Sequence, residues 1–266
     1  MTGAAPAGDP PVSSRRVHLA GGTLEVQDIA ATGGGRAPMV LLHEGLGSIS
    51  IWRDVPRQLA DATGRRVVTY SRFGYGRSTA AALPRDPGYM HAEAREVLPA
   101  LLDELGMDDP VLVGHSDGAS IALIHAGSGG RVRAVAALAP HVFVEDCTVE
   151  GARAARSAYH DGDLRARLGR HHDHVDNAFY GWNDIWLSGS FRAWSIEDRL
   201  PQVRVPVLLI QCADDPYGTL EQLDRIEASV AGPVERLVLP TGGHAPHHAD
   251  RGLVVGAIAA FADQLG

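Results

Sequence analysis

The apolar residues of this chain fall into short continuous runs, separated by stretches with helical spacing. Runs at 38–43, 66–71, 111–115, 132–138, 205–211 and 234–239 are too short for helices and read as strands buried on both faces. Between and after them, 51–62, 89–105, 219–230 and 252–265 carry the spacing of amphipathic helices, and Pro99 predicts a kink within the second. Ahead of the first run, 16–20 and 23–29 flank Gly21-Gly22 and predict a hairpin. Strands alternating with helices in this way imply an α/β fold, a mostly parallel twisted sheet with helices on both faces. From 141 to 200 the alternation lapses. Arg, His, Trp and Asp dominate, only 153–168 looks helical, and no strand pattern appears. The expected organisation is a core of 16–140 and 201–266, a helical cap over 141–200, and a flexible tail at 1–15 that is rich in Ala, Gly and Pro.

Composition narrows the function. Against 24 Lys and Arg stand 32 Asp and Glu, a net charge of −8, with no basic tract, which argues against a nucleic-acid surface. The tail lacks the basic and apolar regions of a secretion signal, and no apolar run approaches the length of a membrane span. Two distant cysteines, Cys147 and Cys212, fit free thiols and a cytoplasmic setting. The expected partner is a small molecule rather than a nucleic acid or a membrane, and the expected state is a monomer or homodimer.

Parallel sheets bind ligands at the C-terminal ends of their strands. His43, Arg72, Ser116 and His141 fall at such ends. The sharpest of these is Gly114-His115-Ser116-Asp117-Gly118, a Gly-x-Ser-x-Gly turn between a strand and a helix. The turn strains the serine backbone, and the glycines remove side chains that would collide with it. Ser116 then projects over the sheet edge, and the Asp117 N–H lies at a helix N-terminus, where it can stabilise an anion. A serine nucleophile needs a base, and a histidine base needs a carboxylate. Asp214-Asp215 follows one strand and His244 follows the last. Each has an ordinary use, as a turn cap or a surface histidine, but Ser, Asp and His at three strand ends in this order are hard to obtain by accident. The second oxyanion donor is expected in the loop after His43, with Gly45 first and Leu46 second.

Other features carry less. His171-His172-Asp173-His174 resembles a metal tract, but nothing fixes its ligands, so a solvated cap face and no metal are expected. His247 and His248 read as the start of the last helix. Trp182, Trp186, Trp194 and Tyr180 either line an acyl pocket or seat the cap, and Trp52 and Tyr75 share that ambiguity. Glu44, Leu46, Trp182 and His141 are the pocket candidates.

On the segments 42–48, 71–78, 114–118, 214–215 and 242–244 the chain resembles the α/β-hydrolase superfamily, from about residue 16 to its end except for the insertion. The resemblance implies Ser116 as nucleophile, His244 as general base and acid, and an Asp as its orienter. Related sequences carry Gly-x-x-Asp after the penultimate strand. Cys212 holds the glycine position here, so the count selects Asp215 and leaves Asp214 as the second candidate. Glu44 stands where a common family form has glycine, and its role is open between a hydrogen-bond network and substrate contact. The implied activity is serine-dependent hydrolysis of a small ester without a cofactor. The rivals are thioester hydrolysis, cleavage of a carbon–carbon bond beside a ketone, cofactor-free oxygenation, and a non-enzymatic binding protein on the same fold.

Overall fold

A computed structural model describes residues 10–266. Its strands run in chain order β1 (Val12–Leu19), β2 (Gly22–Ile29), β3 (Met39–Leu42), β4 (Val67–Ser71), β5 (Val111–His115), β6 (Ala134–Leu138), β7 (Val207–Cys212) and β8 (Val234–Leu239). They form one sheet in the spatial order β1-β2-β4-β3-β5-β6-β7-β8. The pairs β1–β2 and β2–β4 are antiparallel, and every other pair is parallel. The helices are α1 (Val55–Thr63), α2 (Tyr89–Ala92), α3 (Leu98–Glu104), α4 (Asp117–Gly127), α5 (Asp146–Asp161), α6 (Leu164–Leu168), α7 (Val175–Leu187), α8 (Glu221–Ser229), α9 (Pro246–Ala249) and α10 (Arg251–Asp263).

The period-2 geometry of a strand explains the continuous apolar runs. Val40, Leu42 and Leu112 face one apolar layer with Ile121 and Leu123 of α4. Met39, Leu41, Val111 and Val113 face the other, with Leu59 of α1 and Ile258 and Phe261 of α10. Both faces are covered, so alternation in the sequence vanishes and the C-terminal strand ends become the open edge. Helices α5, α6 and α7 fill the segment between β6 and β7, above that edge. Among the described residues no helix is long and apolar enough to cross a membrane. Cys147 and Cys212 are both free.

Several expectations need correction. Residues 1–9 of the expected tail lie outside the described residues, but Val12 to Arg15 belong to β1, paired with Val26 to Ile29. The hairpin backbone, not side-chain burial, orders them, so these exposed and mostly polar residues hide the strand. The helix expected over 51–62 is split into a 3-10 turn at Ile49–Trp52 and α1, because Arg53 between them has a φ of 53°. Where a kink is expected at Pro99, the structure has a π-helical turn just before it, at Glu93–Val97 between α2 and α3. Proline cannot donate to the carbonyl four residues back, and a widened turn absorbs that loss. The helix expected over 153–168 is α5 and α6, with Gly162 in extended backbone between them.

Candidate active site

Ser116 sits between β5 and α4 with φ 53° and ψ −116°. A non-glycine residue there carries roughly 1–3 kcal/mol of strain, which surrounding structure must hold in place. The two glycines make it possible. A Cβ on Gly114 would lie 2.4 Å from the Gly118 carbonyl oxygen, and one on Gly118 would lie 2.0 Å from the Leu42 carbonyl oxygen. The Ser116 N–H is anchored on the Leu138 carbonyl of the neighbouring strand at 2.9 Å.

The loops after β7 and β8 bring two further side chains to Ser116. His244 Nε2 is 2.9 Å from Ser116 Oγ, and its Nδ1 is 2.8 and 2.9 Å from the two carboxylate oxygens of Asp215. Asp215 also accepts the Tyr217 N–H at 2.8 Å. Burial works to raise its carboxyl, but the His244 hydrogen bond and charge prevail and hold it below the ordinary carboxylate value. Asp214 points elsewhere: its Oδ1 accepts the Gly243 N–H at 2.8 Å and fixes the turn that carries His244. The choice left open between the two aspartates is therefore met by Asp215 at His244 and Asp214 at the loop backbone.

A cavity of about 210 Å³ opens over Ser116 and His244. Leu46, His141, Thr148, Trp182, Trp186 and Tyr217 wall it, and Glu44 and Gly45 border it. All four pocket candidates thus reach it, and so does Trp186. Burial and the neighbouring His244 push His141 down to about 3, so its ring is neutral beside the serine. Asp117 begins α4 with its side chain turned away from the cavity, to Tyr89 and Arg72. Gly45 has a reason invisible in the sequence: a Cβ there would fall 2.2 Å from the Trp182 indole, which lies against the loop. The sequence singles out neither Tyr217 nor Thr148, and both line the cavity. Tyr217 follows Asp215 by two residues and packs its ring 4.8 Å from that of His244, and Thr148 Oγ1 donates to the Tyr217 carbonyl. The place of Tyr217 two residues after Asp215 is a signal the sequence offers, and Thr148 carries none.

The remaining aromatics separate cleanly. Trp194 stacks on Phe191, and Tyr180 packs on Phe179 and Tyr159, so both seat the helical segment rather than line the cavity. Trp52 is buried against His247, behind the site, and Tyr75 lies under Arg72. The sequence places His172 on a solvated cap face, and the structure overturns that. His172 is buried, accepts the Gly76 N–H at 2.9 Å, and its Nε2 lies 3.0 Å from the Leu46 carbonyl, so it ties the helical segment to two loops of the core. His247 is also buried, within α9.

Glu44 pairs with His115, the residue before the serine. Its Oε2 stands 3.4 Å from His115 Nδ1, while His115 Nε2 is 2.6 Å from the His244 carbonyl. Burial opposes both charges, yet the pair holds Glu44 below the ordinary 4.5 and His115 above the ordinary 6.5. The Glu44 contribution to stability is present above 4.5 and lost as pH falls through its lowered value. That of His115 is complete below 6.5 and lost as pH rises through its raised value. Glu44→Gln is therefore expected to lower the Tm most between pH 4.5 and 6.5, with the gap to the parent shrinking at higher pH. Thermal unfolding across pH checks this, and a pH-independent gap contradicts it.

The chain resembles known proteins in sequence and in fold. The profile of the alpha/beta hydrolase family matches residues 39–257. RutD of Variovorax paradoxus (strain S110), provisionally named a carbamate hydrolase, is 30% identical over 239 residues, covering 77% of this chain and 84% of that protein. A proline iminopeptidase of Lactobacillus delbrueckii subsp. lactis is 34% identical over 90 residues, which span 34% of this chain and only 31% of that enzyme. The structure of proline iminopeptidase from Mycobacterium smegmatis superposes with a TM-score of 0.76 at 20% identity, covering 95% of this chain and 98% of that one. With its serine turn, sheet order and profile match in agreement, the chain belongs to the alpha/beta hydrolase family.

Proposed function

We propose that the protein is a serine hydrolase that cleaves carboxylic esters of small molecules through an acyl-enzyme. The observation that carries this reading is the unbroken hydrogen-bonded line from Asp215 through His244 to Ser116, ending at the cavity. His244 Nε2 takes the Ser116 proton as Oγ bonds to the ester carbonyl carbon, and the carbonyl electrons move to oxygen. The N–H groups of Gly45 and Asp117 receive that oxyanion. Collapse expels the alkoxide, which takes the proton back from His244. Water then attacks the acyl-enzyme with the same base, releasing the acid and restoring Ser116. Asp215 holds the imidazole in the tautomer that presents a lone pair to serine. The segment 141–200 serves as the cap, contributing Trp182, Trp186 and His141 to the acyl wall.

Kinetics on an aryl ester, an acyl-thioester, a carbamate and a 1,3-diketone of matched acyl size test the bond class. The ester is expected to give the highest kcat/KM; turnover confined to another member contradicts the reading.

The cavity also bounds the acyl group. A dry cavity of about 150 Å³ accommodates benzene, so about 210 Å³ suits an acyl group little larger than one ring. Trp182 closes it against Gly45. Trp182→Ala is expected to raise kcat/KM for an octanoyl ester relative to an acetyl ester by about tenfold or more. An unchanged chain-length profile contradicts this.

A further inference from the structure

Arg72 is a charged side chain with almost no access to water, 1% exposed, at the start of the loop after β4. Its Nη2 donates to the Glu44 carbonyl at 3.0 Å and lies 3.4 Å from both the His43 carbonyl and Asp117 Oδ2. The Glu44 carbonyl and the Gly45 N–H belong to one planar peptide unit, so whatever fixes the carbonyl direction fixes the N–H direction. The same carbonyl accepts the Gly47 N–H at 3.1 Å and the His43 Nδ1–H at 2.7 Å. The His43 tautomer follows from its other nitrogen, which accepts the Arg72 backbone N–H at 3.0 Å. On the opposite side, Asp117 Oδ2 accepts the Tyr89 hydroxyl at 2.7 Å, and Tyr89 in turn accepts the Trp186 indole N–H at 3.2 Å.

One guanidinium thus touches both halves of the proposed anion site: the peptide that carries the Gly45 N–H, and the side chain of the residue that supplies the other N–H. We propose that Arg72 is the positioning residue of the oxyanion hole, fixing the Glu44–Gly45 peptide relative to Asp117 so that both N–H groups converge on one oxygen before substrate arrives. This rests on the hydrolase reading above.

Stability alone gives little reason for the arrangement. Desolvating a buried ion pair is costly, and apolar residues of similar volume commonly replace one without loss. Here the cost is only partly recovered, because Arg72 Nε and Nη1 and Asp117 Oδ1 have no hydrogen-bond partner among the described residues. Catalysis gives a reason. A cation on the carbonyl polarises the peptide and strengthens its N–H as a donor. A preorganised donor pair stabilises charge that appears only in the transition state, so its loss lowers kcat more than it raises KM.

The test compares full-length Arg72→Met, Arg72→Lys and Asp117→Asn with the parent, using a short aryl ester and an aryl trifluoromethyl ketone. The ketone forms a tetrahedral adduct whose oxygen occupies the hole. Arg72→Met is expected to lower kcat about 10²-fold and weaken the ketone by a similar factor, with KM changed less than about threefold. Arg72→Lys keeps the charge but not the planar fork, and is expected to restore part of the loss. If Arg72→Met does not fold, Asp117→Asn, which preserves side-chain shape, carries the same comparison with an expected loss of about tenfold. A folded Arg72→Met or Asp117→Asn variant with parental kcat and ketone affinity overturns the proposal, as does a loss confined to KM. A parent that neither turns over the ester nor binds the ketone refutes the hydrolase reading instead.

Discussion

Replacement of Ser116 by alanine is expected to lower kcat on a short aryl ester by about 10⁶-fold, leaving only the residual rate that binding and an oxyanion site supply. The size follows from the chemistry. Without Oγ no acyl-enzyme forms, and His244 retains only the weaker option of activating water directly. The fold should tolerate the change. Alanine lacks only the hydroxyl, and the strained backbone at φ 53° is imposed by Gly114, Gly118 and the Leu138 anchor rather than by the side chain. Equal Tm values with a collapsed rate are therefore predicted. Activity near the parental level removes Ser116 from the mechanism and favours an oxygenase-like or water-activating use of the His–Asp pair.

The second large effect separates two neighbours. Asp215→Asn is expected to reduce kcat by about 10⁴-fold. The amide offers an N–H where the carboxylate accepted one, so His244 adopts the other tautomer and turns an N–H toward Ser116 in place of its lone pair. Asp214→Asn keeps an oxygen for the Gly243 N–H and is expected to cost less than about tenfold. Paired kinetics on the two variants give the comparison directly. A larger loss at 214 than at 215 contradicts the assignment, because Asp215 holds the His244 ring at 2.8 and 2.9 Å, whereas Asp214 accepts the Gly243 N–H.

Much of this was legible because it rests on local geometry. Glycines at 114 and 118 are demanded by backbone atoms within a few residues or on the adjacent strand, so the sequence carries the requirement openly. The order of Ser116, Asp215 and His244 follows from strand order, which hydrophobic runs reveal. What stayed hidden depends on partners remote in the chain. Nothing near Glu44 says that it meets His115, and nothing near Gly45 says that Trp182 presses on it. His172 reads as polar and solvated, yet it is buried between Gly76 and Leu46, because two backbone groups satisfy both its ring nitrogens. Arg72 reads as a charged loop residue for a similar reason: two of its acceptors are carbonyls, which carry no side-chain signal, and the third, Asp117, lies 45 residues away. The first strand reads short in the sequence because its residues before Val17 are exposed and, Val12 apart, polar, and backbone pairing holds them.

Whether Ser116 is the nucleophile is read from the intact mass and peptide map of the full chain after incubation with a fluorophosphonate ester. A single phosphonyl adduct is expected, mapped to Ser116, appearing in step with loss of turnover of the aryl ester and missing from Ser116→Ala. Loss of fluoride with no adduct, an adduct on another residue, or full inhibition without mass change would contradict the assignment of Ser116.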